Sequence, residues 1–238
     1  MRRALAGVVL AAALPSVAAA QAPADVGSRL YAVHCAECHG SRGFGQGHRG
    51  PNLAGVGERA ADFYLRTGYM PLGKPGEEPT RNAVVFTEQE LQALIRYVGS
   101  LGPGPSIPTP HPARGSVSEG QRLFTSNCAG CHQIVAEGGF VTGARVPPLE
   151  IATPVQIAEA VRLGPYVIPE FDERQLSNAE VDSIVAYVEY AKNPDDRGGW
   201  SLGHLGPIPE GVVSWLVGAA ALVATCMLIG QRLKSTSE

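Results

Sequence analysis

The 238-residue chain is expected to be mainly α-helical: two small helical domains in tandem, followed by one helix that crosses a membrane. Three observations carry that expectation. The pentapeptide Cys-x-x-Cys-His occurs twice, from Cys35 to His39 and from Cys128 to His132. Each copy sits in the same frame of apolar and helix-capping residues. Near the C-terminus, residues 212–230 run without a charge.

Residues 1–20 have the outline of a secretory signal: Arg2 and Arg3, the apolar stretch Ala4 to Leu14, and Ala18-Ala19-Ala20 as a cleavage site. An uncleaved anchor has the same outline, and either one exports the residues after it. The first domain covers 25–101 and the second 117–193. Gly27, Tyr31 and Cys35 are spaced by four, as are Gly120, Phe124 and Cys128. A Pro-x-Leu comes after each histidine, Pro51 to Leu53 and Pro147 to Leu149. Each domain closes with a helix opened by a capping box, Thr87 with Glu90 and Ser177 with Glu180. Leu91, Leu94, Ile95 and Val98 form an apolar stripe on one closing helix, and Val181, Ile184, Val185 and Val188 form it on the other. Thr153, Pro154 and Gln156 open a middle helix in the second domain.

Between the domains, 102–116 holds Pro103, Pro105, Pro108, Pro110 and Pro112 and reads as a semi-extended linker, not a folded element. Each domain has about 80 residues, too few to bury a large core unaided, so an apolar prosthetic group has to complete it. Residues 194–211 are a juxtamembrane segment, 212–230 the spanning helix and 231–238 a cytoplasmic tail. Trp215 at one end and Arg232 and Lys234 at the other put the C-terminus in the cytoplasm. A buried core helix is the alternative for this stretch. Cys226 within it reads as a small apolar residue.

Two thiols three residues apart on one helical turn can each add to a vinyl group of a porphyrin, and the next histidine then lies under the iron. Cys35, Cys38, Cys128 and Cys131 are therefore read as the thioether attachments of two covalently bound haem c groups, with His39 and His132 as proximal iron ligands. A redox dithiol would need a βαβ context, and a zinc ribbon would bring its two pairs much closer together.

The distal positions differ. Methionine usually closes the sixth position of a carrier haem. Of the three methionines, Met1 lies in the signal and Met227 in the spanning helix, which leaves Met70 in Thr67-Gly68-Tyr69-Met70-Pro71 as the distal ligand of the first haem. The matching loop of the second domain runs from Gly164 to Phe171 and has Ile168 at the methionine position. The alternatives there are an open or water-filled position, a histidine (His204 or His111), or Tyr166, with Glu170 also flanking the site.

Net charge narrows the partners. Setting aside Arg2, Arg3, Arg232, Lys234 and Glu238 leaves 15 Lys+Arg against 21 Asp+Glu in the exported part, which argues against nucleic acid and anionic lipid as partners. No residues form an acid–base or nucleophilic constellation.

The layout of signal, two domains, Pro-rich linker and one C-terminal span resembles the dihaem cytochrome c subunit (cytochrome cc) of the actinobacterial-type cytochrome bc complex, a quinol–cytochrome c reductase. The likeness runs along nearly the whole chain: Arg49-Gly50-Pro51-Asn52-Leu53, Thr67 to Pro71, Phe171 to Ser177, and Gly203-His204-Leu205-Gly206-Pro207 leading to Pro209-Glu210-Gly211. It implies a class I cytochrome c fold in each domain, on the extracytoplasmic side of the cell membrane. It also implies a relay in which a Rieske iron–sulfur subunit, fed from a cytochrome b subunit, passes electrons through both haems towards a terminal cytochrome c oxidase. The chain would then be the electron-transfer subunit of a multisubunit enzyme and not catalytic on its own. Ile168 is the departure from the family pattern. Two other readings stand beside this one: a membrane-anchored acceptor for another dehydrogenase, and a peroxidase or gas-binding protein using an open second haem.

Overall fold

A computed structural model of the chain describes residues 23–77, 79–194 and 207–235. The signal over 1–20, His204 with most of the juxtamembrane segment, and the last three residues of the tail lie outside the described residues. The chain forms two compact units that divide after Pro108.

In the first unit, α1 (Pro23–His34) leads into the single turn α2 (Ala36–His39), followed by α3 (Gly57–Arg66) and α4 (Glu88–Gly99). Helices α1 and α4 meet at Gly27, where an added Cβ would lie 2.3 Å from the Ala93 carbonyl oxygen. Backbone touches backbone there, and only glycine leaves room. Tyr31, Leu65, Phe86, Leu91, Leu94, Ile95 and Val98 make the buried core. Thr87 caps α4 as expected: its N–H donates to the Glu90 carboxylate at 2.8 Å, and its side chain accepts from the Glu90 N–H.

The second unit repeats the plan with α5 (Val117–Asn127), α6 (Ala129–His132), α7 (Pro154–Leu163) and α8 (Asn178–Lys192). A Cβ on Gly120 would fall within 1.9 Å of the Ser183 carbonyl oxygen, so α5 and α8 cross as closely as their counterparts. Capping boxes open both α7, at Thr153 with Gln156, and α8, at Ser177 with Glu180. Phe124, Ile157, Ile184, Val185 and Val188 are among the side chains of this core.

Two features differ from expectation. The Pro-rich stretch includes a 3₁₀ turn at Pro112–Arg114 and is strapped to the helical units. Its first part gives the Pro105 carbonyl to the Arg59 N–H at 3.2 Å, and Ile107 packs on the first core. In its second part, the His111 N–H donates to the Asp182 carboxylate at 2.6 Å, and the Ser116 N–H to the Ser183 hydroxyl at 3.1 Å. Proline removes donors but leaves acceptors, so such a stretch can still tie down through its carbonyls and the few N–H groups between prolines. The second difference is a short antiparallel hairpin, β1 (Gly139–Val141) with β2 (Ala144–Val146), pairing Phe140 with Arg145. Strands of three residues are too short to register as a period-two pattern.

The C-terminal helix α9 (Pro207–Ser235) is continuous and longer than the uncharged stretch inside it. Its apolar part, Gly211–Arg232, has 22 residues, none of them buried in the chain. At about 1.5 Å per residue that is roughly 33 Å, enough to cross the hydrocarbon core of a bilayer.

Candidate haem sites

The two Cys-x-x-Cys-His motifs fold alike. Each first cysteine ends the incoming helix, and its N–H donates to the residue four before it, Cys35 to Tyr31 at 2.9 Å and Cys128 to Phe124 at 2.8 Å. The Cys35 carbonyl then accepts from Cys38 and His39 at 3.1 and 2.9 Å, and the Cys128 carbonyl from Cys131 and His132 at the same two distances. Backbone angles agree within a degree, φ −124° and ψ −33° at Cys35 against −124° and −34° at Cys128. One turn thus carries both thiols, and the histidine comes directly after it.

The histidine rings are oriented from behind. His39 Nδ1 lies 2.9 Å from the Pro51 carbonyl oxygen, which can only accept. The proton therefore sits on Nδ1, and the Nε2 lone pair is left for a metal. This gives the repeated Pro-x-Leu its role: the proline supplies a carbonyl on the ring's side, and the leucine N–H fixes the loop, Leu53 to Gly43 at 2.7 Å and Leu149 to Ala136 at 2.9 Å. In the second unit, His132 is buried and its Nδ1 has no partner in hydrogen-bond geometry. Burial holds the ring below the usual histidine range, and the Pro147 carbonyl partly offsets this.

A phenol anchors the chain just past each histidine, from opposite helices. In the first unit, Tyr31 of α1 donates to the Gly40 carbonyl at 2.8 Å. In the second, the α1 counterpart is Phe124, and Tyr187 of α8 donates to the Ile134 carbonyl at 2.6 Å. Burial, with Cys35 adding, pushes the Tyr31 phenol up to about 12. The signal for these anchors was a tyrosine at a core position, where its hydroxyl must find a partner.

Burial, with the second thiol of each pair adding, raises Cys35 and Cys128 to about 11. A thiol that adds S–H across a vinyl double bond to form a permanent thioether fits this apolar setting.

Met70 sits on the loop after α3, held by its N–H to the Tyr64 carbonyl at 3.0 Å. Half-buried, it packs on the same apolar core as Cys35, Ala36 and Leu53, which lie around the first motif. The structure therefore gathers thiol, apolar lining and thioether sulfur onto one cluster, a set suited to a c-type haem. Ile168 has the matching place on the loop after α7 and is likewise half-buried, whereas Tyr166 and Glu170 are exposed. On that loop, Phe171 packs on the second core beside Cys128, Ala129 and Leu149. His111 is fixed at Asp182 on α8, and His204 is not among the described residues.

Sequence reasoning missed Arg162. Its guanidinium, buried on α7, donates to the Phe171 and Leu176 carbonyls at 3.0 and 2.7 Å and to the Asn178 side chain at 2.8 Å. It ties the far side of the Ile168 loop to the start of α8.

Residues 24–102 match the family model for cytochrome c, and residues 115–188 match the model described as cytochrome C oxidase, cbb3-type, subunit III. The chain is 37% identical to the cytochrome bc1 complex cytochrome c subunit of Corynebacterium diphtheriae, over 95% of this chain and 89% of the relative. It is 36% identical to the subunit of the same name from Mycobacterium tuberculosis, over 87% of this chain and 77% of the relative. Half of the chain is 31% identical to 42% of a cbb3-type cytochrome c oxidase subunit FixP from Sinorhizobium medicae. The crystal structure of cytochrome c4 from Pseudomonas stutzeri aligns over 70% of this chain and 97% of its own, at 24% identity and a TM-score of 0.26.

Proposed function

The chain belongs to the family of cytochrome bc1 complex cytochrome c subunits, and from that membership we propose that it relays electrons from a Rieske iron–sulfur subunit through its two haems to a terminal oxidase. Its two units are cytochrome c domains that bind haem c covalently, and it serves as an electron-transfer component of an oxidoreductase. The observation that carries the residue assignment is the near-identical turn at both motifs, backed by the His39–Pro51 hydrogen bond.

Each haem, when bound, supplies a one-electron couple at its iron. Cys35, Cys38, Cys128 and Cys131 hold the two groups through thioethers. His39 and His132 present Nε2 as proximal ligands, His39 steadied by Pro51. Met70 offers a soft sulfur to the first iron and favours its reduced state. The part of these residues is to seat and tune carriers. Helix α9 serves as the membrane anchor. With Arg232 and Lys234 at its C-terminal end, the haem domains lie outside and the tail in the cytoplasm.

Purification of the tagged full chain from its native membrane tests the relay. The expected result is co-purification with a cytochrome b and an iron–sulfur protein, and quinol-driven reduction of both haems that stops when the iron–sulfur protein is removed. Isolation with a different dehydrogenase and no cytochrome b would overturn the proposal in favour of a general membrane-anchored acceptor.

A further inference from the structure

We propose that the loop at Ile168 gives the second haem iron no distal ligand, so that this iron binds a small neutral ligand such as carbon monoxide reversibly while the first does not. The inference rests on the covalent haem reading at Cys128, Cys131 and His132, and deepens it.

Three observations point the same way. First, residues 109–206 contain no methionine, and Ile168 stands before Pro169 on the loop leaving α7, as Met70 stands before Pro71 on the loop leaving α3. Second, Ile168 matches Met70 in being half-buried on its loop. The side chain in the methionine's place is therefore a branched hydrocarbon with no lone pair to give a metal. Third, the loop has little freedom to bring in a substitute. Its N–H groups close on its own helix and turn, Phe171 to the Val161 carbonyl at 3.0 Å and Ile168 to the Pro165 carbonyl at 3.1 Å. Arg162 clamps the Phe171 and Leu176 carbonyls from beneath.

An apolar side chain in the methionine's place would also select the ligand class. It offers no hydrogen bond or positive charge to steady a bound anion or a polarised dioxygen. Carbon monoxide needs neither, since it binds ferrous iron through carbon without a proton or counter-charge. Nitric oxide shares that chemistry.

The test is a carbon monoxide titration of the dithionite-reduced full chain in detergent, with the haem count read independently by mass. Wild type and Ile168→Ala are expected to take up one carbon monoxide per chain with a shift of half the Soret absorbance. Ile168→Met supplies the missing sulfur and is expected to lose that equivalent and gain a sulfur-to-iron charge-transfer band when oxidised. Two haems by mass with no uptake in wild type sinks this inference alone, and uptake appearing only in Tyr166→Phe or His204→Ala would identify that side chain as the ligand and sink it too. A mass showing a single haem would bring down the underlying haem reading and this inference with it.

Discussion

Removing the Arg162 guanidinium tests how the second distal loop is held. Arg162→Met keeps the aliphatic stem and deletes donors to three acceptors, the Phe171 and Leu176 carbonyls and the Asn178 side-chain oxygen. Leu176 is 4% exposed, so its carbonyl stays dry, and an orphaned buried acceptor costs about 1–3 kcal/mol. Phe171 is half-buried and Asn178 exposed, so water replaces part of what those two lose. Taking a cation out of the interior returns some of its desolvation penalty. The net expected loss is about 2–3 kcal/mol, confined to the second unit. Urea unfolding of the full-length holoprotein, followed at the Soret band, reads it. Arg162→Lys keeps the charge but cannot fork to all three acceptors, and should fall about midway. Carbon monoxide rebinding after flash photolysis should speed up in Arg162→Met as the loop loosens. A stability loss under about 0.5 kcal/mol together with unchanged rebinding would show that the loop is set by its own backbone turns and not by the clamp.

The same geometry fixes other outcomes. Gly120→Ala drives a methyl to 1.9 Å from the Ser183 oxygen, nearer than the 3.0 Å that real Cβ atoms keep, so α5 must back away from α8. The expected cost is at least about 3 kcal/mol with loss of haem from the second unit. Gly99→Ala meets only the Glu58 side chain and should cost less than about 1 kcal/mol; equal effects on thermal melting would refute the close-crossing argument. Glu88 is held down at about 2, from an ordinary 4.5, chiefly by its hydrogen bonds to Arg66. A depressed carboxylate stabilises above its unfolded pKa and loses that stabilisation as pH falls, here between about 4.5 and 2. Because the pair is exposed, the effect is under about 1 kcal/mol. Glu88→Gln should flatten the acid limb of first-unit stability in that window, and an unchanged limb would deny the ion pair its role. Met70→Leu should raise carbon monoxide uptake from one equivalent to two, and uptake that stays at one would remove Met70 from the iron.

What could be read in advance depended on how local the cause was. A helix cap needs two residues three apart, so Thr87 with Glu90, Thr153 with Gln156 and Ser177 with Glu180 were all visible, as were the motif turns and the membrane helix. The glycines Gly27 and Gly120 were visible as a repeat, although the depth of contact was not. The roles of Pro51 and Pro147 were hidden, because a backbone carbonyl has no sequence signature and the ring it steadies lies a dozen or more residues away. Arg162 was hidden for the opposite reason. Its partners are carbonyls on a loop that only the tertiary fold brings back over α7. The phenol anchors were half legible. A tyrosine in a core stripe declares that it needs an acceptor, but nothing in the chain says that Tyr31 does from α1 what Tyr187 does from α8.

The scaffold repeats closely while the two distal loops diverge, and this difference bears on the direction of flow. A thioether favours ferrous over ferric iron, and a hydrocarbon neighbour gives no such bias, so on the proposed ligation the first haem is expected to have the higher potential. An electron stepping from first to second then climbs, and each 59 mV of that climb lowers the population of the reduced second haem about tenfold. Such a step still carries current if an acceptor of much higher potential drains the second haem, as an oxidase metal centre would. Redox titration of the full chain should therefore resolve two waves, with the lower one belonging to the haem that binds carbon monoxide. Ile168→Met should lift the lower wave towards the upper and leave the upper in place. If the carbon monoxide-reactive haem instead titrated as the upper wave, burial and hydrogen bonding around His132 would outweigh the missing sulfur, and the relay would run downhill from Met70 to Ile168.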